Sequence, residues 1–424
     1  MAVSALIHKA AVFDTVFHGY EGPPFSIRLW DGWQWSSHQH ESPVCTIVVN
    51  SPDALASLVA DPNELTLGEA FIHEEVDVEG DLFSVFQIAE HLFDRPHTVT
   101  QQLLEKWAGT AFEFSQRLRH GAENSERRDR ASIAYHYDLP VAFYRPWLGN
   151  TLVYSCAYFT RPQDPLDKAQ EQKLDLICRK LRLQPGEHFL DIGCGWGSLV
   201  LHAGGCRHAH AEGITLSQEQ AATGKRRISE TGCGNRCSIQ YKDYRELPNG
   251  EPRYDKIASV GMFEHVGLKN LPLYFSIAWQ LLRPGGLFLN HAIARSETAP
   301  IRESSFIARY VFPDGHLVTL SEALHAAESQ GFEVRDVENL REHYELTLRR
   351  WIVGLRQNEA RLLELVPRTT YRIWLLYMAG SAAAFHRGAI GIYQSLLSRP
   401  KDGRSGLPLT RNDLYAPTTP NGRR

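Results

Sequence analysis

Residues 186–203 read GEHFLDIGCGWGSLVLHA, and the fold class can be inferred from them. An apolar run of strand length, 188–192, leads through Asp191 into glycines at three alternate positions and then into an apolar helical start. Glycine at the end of a buried strand lets the backbone approach a ligand closely. The stretch therefore predicts a buried strand, a ligand-binding turn and a helix.

The glycine spacing indicates which ligand binds. Gly193, Gly195 and Gly197 form G-x-G-x-G, whereas the dinucleotide pattern needs its third glycine at the position of Ser198. With Asp191 two residues before the first glycine, the pattern suits a ligand with an amino acid end and a nucleoside end but no pyrophosphate, namely S-adenosylmethionine. A nicotinamide oxidoreductase and a tight turn without a ligand are the alternatives.

The segments around this turn predict the architecture. Helix-like segments such as 217–231 and 270–283 separate apolar runs of strand length, which are HFLDIG, AHAEGITL, CSIQYKDY, YDKIASVG and GLFLNHAIA. Such alternation is typical of an α/β protein with a doubly wound, mostly parallel sheet, which is the Rossmann-like fold of class I methyltransferases. Ligands bind such sheets at the carboxyl ends of the strands.

Composition shifts divide the chain into four parts. Residues 1–116 mix short strand-like and helix-like runs, with a turn cluster at 61–72, and predict a small α+β domain. The charged segment 117–130 lacks apolar periodicity and is predicted to be a linker. Residues 131–398 then form the catalytic domain, and 399–424 are predicted to be a disordered tail.

Charge and cysteine content exclude several function classes. The 424 residues contain 45 Lys and Arg against 49 Asp and Glu, a net charge of −4, so we expect no nucleic-acid partner. The seven cysteines lack paired spacing, so we expect neither disulfides nor a metal site. The first residues lack a signal-peptide pattern, and these features together predict a cytoplasmic protein.

Two further strand ends should contact the nucleoside. The second strand ends near Thr215 and Gln220, which we expect beside the ribose, with Glu212 as a less suitable alternative inside the strand. The third ends near Asp243 and Tyr244, which could meet the adenine. Asp243 could instead cap a helix.

Four segments in this order around the glycine loop closely resemble the cyclopropane-fatty-acyl-phospholipid synthases and the related mycolic acid cyclopropane synthases. They are YHYDLPVAFYRPWLGNTLVYSCAYF (135–159), SVGMFEHVG (259–267), FLNHAIA (288–294) and REHYELTLRRW (341–351). The likeness covers roughly 131–398. It extends more loosely over 1–116, where such synthases carry a small lipid-associated domain.

The resemblance implies an enzyme that adds the methyl carbon of S-adenosylmethionine across a cis double bond of a phospholipid acyl chain, with a bicarbonate ion in its active site. The residues that match the bicarbonate cradle are Cys156, Glu264, His291, Ile293 through its backbone, and Tyr344. The predicted cofactor contacts, Asp243 included, are Tyr137, Tyr154, Ser155, Asp191, Gly193, Cys194, Gly195, Gly197, Thr215, Leu216, Gln220, Asp243, Tyr244 and Arg245.

The same resemblance raises expectations about the substrate and partners. We expect contact with unsaturated phospholipid at the inner membrane surface, and a homodimer. Candidates for an apolar acyl tunnel are Phe143, Tyr144, Trp147, Tyr158, Phe159 and Phe263. Ser381 stands where many relatives have a cysteine, which argues against covalent thiol catalysis. Methyl branching of acyl chains, N-methylation of small amines, and an inactive lipid-binding protein are the alternative functions.

Overall fold

A computed structural model describes residues 10–60, 63–93, 139–247, 251–298, 306–311 and 317–415. The chain divides into two compact units. The first comprises Met1–Arg119, Pro300–Pro313 and Leu355–Ala384, and the second comprises His120–Ala299, Asp314–Gly354 and Phe385–Arg424. The predicted linker, 117–130, lies outside the described residues. Two segments assigned by sequence to the catalytic domain, 300–313 and 355–384, thus group with the N-terminal unit.

The first unit contains a four-stranded sheet in the order β2-β1-β3-β4, in which β1 and β3 are parallel. Residues 10–16 are helical, and the remaining elements up to residue 93 are β1 (Phe25–Leu29), β2 (Gln34–Ser36), β3 (Cys45–Val49), α1 (Pro52–Ala60), α2 (Glu64–Ile72), β4 (Val76–Gly80) and α3 (Ser84–Phe93). The turn predicted over 61–72 is wrong from 64 onward. Asn63 accepts a hydrogen bond from the Thr66 N–H and starts a helix there.

The second unit is built on a seven-stranded sheet in the order β10-β11-β9-β8-β5-β6-β7. Its strands are β5 (His188–Ile192), β6 (His210–Thr215), β7 (Cys237–Tyr241), β8 (Tyr254–Val260), β9 (Leu282–Arg295), β10 (Glu333–Asn339) and β11 (Ile390–Ser398). The five strands predicted by sequence, β5 to β9, pair in parallel. Only β10 and β11 add antiparallel pairs to the described sheet. The predicted α/β fold with a mostly parallel sheet is confirmed.

Helices cover both faces of this sheet and enclose its apolar side chains. The helices of the second unit are α4 (Val141–Leu148), α5 (Leu166–Lys180), α6 (Ser198–Cys206), α7 (Gln218–Thr231), α8 (Leu271–Leu281), α10 (Leu320–Glu328), α11 (Arg341–Gln357) and α14 (Asn412–Tyr415). The helices α9 (Phe306–Tyr310), α12 (Glu359–Leu363) and most of α13 (Arg368–Arg387) belong to the first unit. In the described part of the chain, no helix is both long and apolar enough to span a bilayer.

The strand order places the glycine loop at the topological switch point. From β5 the sheet runs to β6 and β7 on one side and to β8 and β9 on the other. The crevice outside β5, where the two directions part, is where open α/β sheets bind ligands. Residues 193–197 follow β5 directly and therefore lie in this crevice.

The predicted disordered tail is wrong for residues 399–415. The Arg182 guanidinium pairs with the Asp413 carboxylate at 2.8 Å, and Arg411 pairs with Asp336 at 2.8 Å. Leu414 is buried, which anchors α14 within the second unit. Charge pairs, the buried Leu414 and the packing of Leu407 against the core order this segment despite its lack of periodicity. Residues 416–424 lie outside the described part.

Candidate active site

A pocket opens at the carboxyl ends of β5 to β8, where the sequence predicts cofactor binding. It brings together most of the predicted cofactor residues, which are Tyr154, Ser155, Asp191, Gly193, Cys194, Gly195, Thr215, Leu216, Gln220, Tyr244 and Arg245. Tyr137 lies outside the described residues. The pocket is also lined by residues that sequence reasoning missed, among them Lys173, Met262 and His265.

The three loop glycines are needed for two different reasons. All three have positive φ, which disfavours residues with a side chain. Gly193 and Gly195 line the pocket, so they let the backbone reach the ligand. Gly197 is not among the described lining residues, and a Cβ there would lie 2.4 Å from Ile239 Cδ1. Gly197 therefore has a packing role between the loop and β7, and its predicted cofactor contact stays a prediction.

Replacing Gly197 by Ala should lower the free energy of unfolding by about 3 kcal/mol, because the new methyl group combines backbone strain with overpacking. Gly232→Ala is the matched control, because Gly232 also has a positive φ and a Cβ there meets no atom within 4 Å. We expect that control to lower the free energy of unfolding by only about 1 kcal/mol, from backbone strain alone. Chemical denaturation measures both, and equal stability of the two variants would contradict this packing role.

Of the residues predicted to contact the nucleoside, some line the pocket and others do not. Thr215 Oγ1 donates to Gln220 Oε1 at 2.7 Å, so both side chains are ordered at the β6 end of the pocket. The predicted adenine contact of Asp243 is corrected. Its carboxylate is fully buried, accepts two hydrogen bonds from the Arg245 guanidinium at 3.0 and 2.7 Å, and caps the following 3-10 turn. It holds Arg245, which itself lines the pocket.

Two opposite charges lie at the β5 end of the pocket. Burial raises the pKa of Asp191 to about 7, and the charge of Lys173 partly opposes that rise. Lys173 belongs to α5, where it occupies a buried position beside Leu174 and Ile177. A lysine inside the apolar stripe of an amphipathic helix was the sequence signal for it, because lysine is almost never fully buried without a partner.

Glu264 is held by the backbone of β9. Its Oε1 accepts from the Ile293 N–H at 2.8 Å, while its Oε2 is buried without a hydrogen-bond partner. Burial raises the pKa of Glu264 to about 7. The Ile293 N–H thus positions Glu264, and the expected contact of the Ile293 backbone with a bound ion stays a prediction.

His291 lies two residues before Ile293 on β9 and is fully buried. Gln394 Nε2, on the paired strand β11, lies 3.1 Å from His291 Nδ1. An amide nitrogen only donates, so Nδ1 accepts and the ring proton resides on Nε2. That Nε2 is buried without a partner, and burial holds the pKa of His291 well below its usual range. His291 is therefore a neutral donor.

Cys156 and Tyr344 complete the predicted cradle. The Cys156 thiol donates to the carbonyls of Ala157 at 3.2 Å and Leu340 at 3.8 Å, and burial raises its pKa far above the usual range. It is a neutral thiol and not a nucleophile. The Tyr344 N–H donates to that same Leu340 carbonyl at 3.1 Å, so Cys156 and the start of α11 share one anchor.

The cradle residues adjoin the cofactor pocket. The Gly261 N–H donates to the His291 carbonyl at 2.9 Å, and Gly261 lines the pocket. On the other side, Tyr344 contacts Trp351 with ring centroids 6.0 Å apart, and Trp351 contacts Tyr154 at 5.1 Å. The structure thus places the two predicted groups next to each other.

The predicted tunnel aromatics separate into three groups. On α4, Phe143 packs against Tyr144 with ring centroids 5.4 Å apart. Tyr144 in turn packs against Trp196 at 4.9 Å and Trp147 against Tyr154 at 5.6 Å, beside the cofactor pocket. Phe263 joins the core around α8. Tyr158 and Phe159 both contact His343. Within the described residues, none of the six candidates lines the cofactor pocket, so their role in a tunnel stays a prediction.

Comparison with known proteins identifies the family to which this chain is similar. A family model described as mycolic acid cyclopropane synthetase matches residues 124–395, and one described as a domain of unknown function matches 12–96. A probable fatty acid methyltransferase of Pseudomonas putida is 40% identical over 397 residues, which are 92% of this chain and 96% of that protein.

Two further relatives support the same assignment. The cyclopropane-fatty-acyl-phospholipid synthase of Escherichia coli K12 is 34% identical over 290 residues, 68% of this chain and 73% of that protein. A crystal structure of a mycolic acid cyclopropane synthase complexed with SAH and CTAB superposes with a TM-score of 0.60 and 32% identity, covering 63% of this chain and 97% of that one.

Proposed function

Since the chain belongs to the mycolic acid cyclopropane synthetase family of S-adenosylmethionine-dependent methyltransferases, we propose that it forms cyclopropane rings at cis double bonds of phospholipid acyl chains, with bicarbonate as the base. One observation carries the proposal. Two buried atoms of opposite hydrogen-bonding character, Glu264 Oε2 and His291 Nε2, are without partners beside the cofactor pocket.

The hydrogen-bonding chemistry of these two atoms suits bicarbonate. Buried polar atoms without a partner are rare, and each costs free energy until a ligand satisfies it. The His291 Nε2–H can donate to an anionic oxygen, and the Glu264 carboxylate can accept from a hydroxyl. Bicarbonate has both groups, so two anions can share the site without direct repulsion.

The proposed reaction breaks one bond to sulfur and forms two to carbon. The π electrons of the acyl double bond form a bond to the methyl carbon, the sulfur–carbon bond breaks with its electrons going to sulfur, and a carbocation is left on the chain. A C–H bond of the new methyl group then breaks, its electron pair closes the ring, and its proton goes to the base. Bicarbonate, when bound, supplies that base.

The residues of this chain prepare the site for these steps. Glu264 and His291 would hold the base in a fixed position, which proton transfer at hydrogen-bond distance requires. Burial of Glu264 Oε2 and His291 Nε2 keeps bulk water from these atoms, and water would otherwise capture the carbocation. Neutral Cys156 cannot trap the cation as a thiolate would.

A second candidate function is methyl branching. The Pseudomonas putida relative, which matches 92% of this chain, is named a probable fatty acid methyltransferase. The same carbocation gives a branched chain when a different proton is lost. The substrate would again be an acyl chain, and the phospholipid and membrane-surface contacts remain part of the proposal.

Product analysis separates the candidates. The protein is incubated with S-adenosylmethionine carrying a CD₃ group, bicarbonate and vesicles of cis-unsaturated phospholipid, and the acyl chains are analysed by mass spectrometry. Ring closure adds one carbon that retains two deuteriums, and the product resists an olefin-specific reagent. Three retained deuteriums would establish methyl branching. No acyl product, with cofactor binding intact, would favour a small amine as the substrate.

A further inference from the structure

Lys173 is a buried lysine that the proposed chemistry does not use. It lies on α5, its exposed fraction is 1%, and it lines the cofactor pocket. Its Nζ donates to Ser155 Oγ at 2.8 Å, and Ser155 lines the same pocket. An ammonium group has three N–H donors, so a hydroxyl alone is a poor substitute for the water that burial removes.

Asp191, the opposite charge in the pocket, also has incomplete hydrogen bonding. Asp191 Oδ1 is buried and has no hydrogen-bond partner. Burial lowers the pKa of Lys173 to about 8 and raises that of Asp191 to about 7, and each charge offsets part of the shift in the other. The β5 end of the pocket therefore holds one buried cation and one buried anion, both with unused hydrogen-bonding capacity.

We propose that Lys173 binds the α-carboxylate of the methionine part of S-adenosylmethionine, while Asp191 receives the α-ammonium group. A zwitterionic amino acid end has a carboxylate to pair with the Lys173 ammonium group and an ammonium group to pair with the Asp191 carboxylate. Ser155 accepts from Lys173, so its own hydroxyl proton is available to the same carboxylate. The inference depends on the cofactor and not on the identity of the acyl substrate.

The other pocket cations are less suitable for this contact. The Arg245 guanidinium is held by the two hydrogen bonds that it donates to Asp243, at the β7 end of the pocket. Lys242 directly follows β7, two strands from β5 in the sheet order. Of these three cations, Lys173 is the one whose charge acts on the pKa of Asp191, in the strand before the glycine loop.

Calorimetric titration with two ligands tests the proposal. S-adenosylhomocysteine retains the amino acid end, whereas 5′-methylthioadenosine lacks it. We expect Lys173→Met to weaken S-adenosylhomocysteine binding about 50-fold, as loss of a charge-assisted hydrogen bond does, and to change 5′-methylthioadenosine binding less than about twofold. Equal weakening of both ligands, or of neither, would assign Lys173 a purely structural role and overturn the proposal.

Lys180→Met is the matched control. Lys180 is equally buried on α5 but pairs with Glu338 at 2.5 Å and is not among the described pocket residues. Its replacement should lower stability without changing the affinity for either ligand. A loss of affinity equal to that of Lys173→Met would show that any buried charge on α5 matters, and would overturn the specific assignment.

A measurement on the unaltered protein covers the case in which Lys173→Met does not fold. Decarboxylated S-adenosylmethionine keeps the ammonium and sulfonium groups and lacks only the carboxylate. The proposal expects it to bind about 50-fold more weakly than S-adenosylmethionine, for the same loss of a charged hydrogen bond. Equal affinity would overturn the proposal. If S-adenosylmethionine itself does not bind, the cofactor assignment fails, and this failure is separate from that of the acyl reaction.

Discussion

Replacing Glu264 by Gln should reduce the rate of acyl-chain methylation about 1,000-fold, within the range for loss of an acid–base group. The amide oxygen of the new side chain can still accept from the Ile293 N–H, so the local fold should persist. The other terminal atom, however, changes from an acceptor to a donor. The new amide N–H would then face the hydroxyl of bicarbonate, so two donors would meet without an acceptor. The ion would lose its orientation.

The binding of S-adenosylhomocysteine separates this effect from general damage. Glu264 is not among the described residues that line the cofactor pocket, so we expect the affinity of Glu264→Gln to stay within about twofold of the original, as for a site without a direct contact. Glu212→Gln is the control, because this carboxylate has a partner on each oxygen, Gln240 and Tyr254, and is not among the described residues of that pocket. Full activity in Glu264→Gln would refute the proposed cradle.

The pH dependence of the rate provides an independent check. Burial raises the pKa of Glu264 to about 7. Because Oε1 accepts from the Ile293 N–H, protonation of Oε2 would replace the acceptor for the bicarbonate hydroxyl by a donor. The rate should therefore rise with pH and level off above about pH 7. In Glu264→Gln the pH dependence of the residual rate should become shallower, because an amide does not titrate in this range, whereas Asp191 still does.

The sequence predicted the parts of the site that lie close together along the chain. Asp191 and the loop glycines fall within seven residues, and strand-length runs on either side define the parallel sheet. Local patterns of this kind predict both the backbone conformation of the turn and the ligand that it binds. The eleven predicted residues that line the pocket follow from such short motifs or from the family resemblance.

Sequence patterns missed the contacts that depend on distant pairing. Gln394 meets His291 across 103 residues, because β11 follows a long helix and returns antiparallel to β9. No local signal gives that register. Asp243 shows a different limit, since an acid after a strand can contact a ligand or cap a turn, and only the position of Arg245 decides between them.

Asp191→Asn should weaken S-adenosylmethionine binding about 100-fold and yet stabilise the ligand-free protein at pH 8. The affinity falls because a buried carboxylate that meets an ammonium group forms a charged hydrogen bond, for which about 1.5–3 kcal/mol is typical. Stability rises because the native pKa of Asp191, about 7, lies above the ordinary value of 3.8. An acid with a raised native pKa binds protons more tightly when folded, so stability falls as pH increases from about 4 to about 7.

The asparagine variant escapes this penalty because it does not ionise. The pKa difference of Asp191 corresponds to about 4 kcal/mol, but Lys173 loses its opposite charge in the variant, so we expect a net gain of about 1–2 kcal/mol at pH 8. The gain should shrink at pH 5, where Asp191 is protonated as well. Thermal and chemical denaturation of the ligand-free protein at both pH values, with calorimetric titration of S-adenosylmethionine, measure the two effects. A variant that loses stability at pH 8 together with affinity would mean that Asp191 supports the fold and not the ligand.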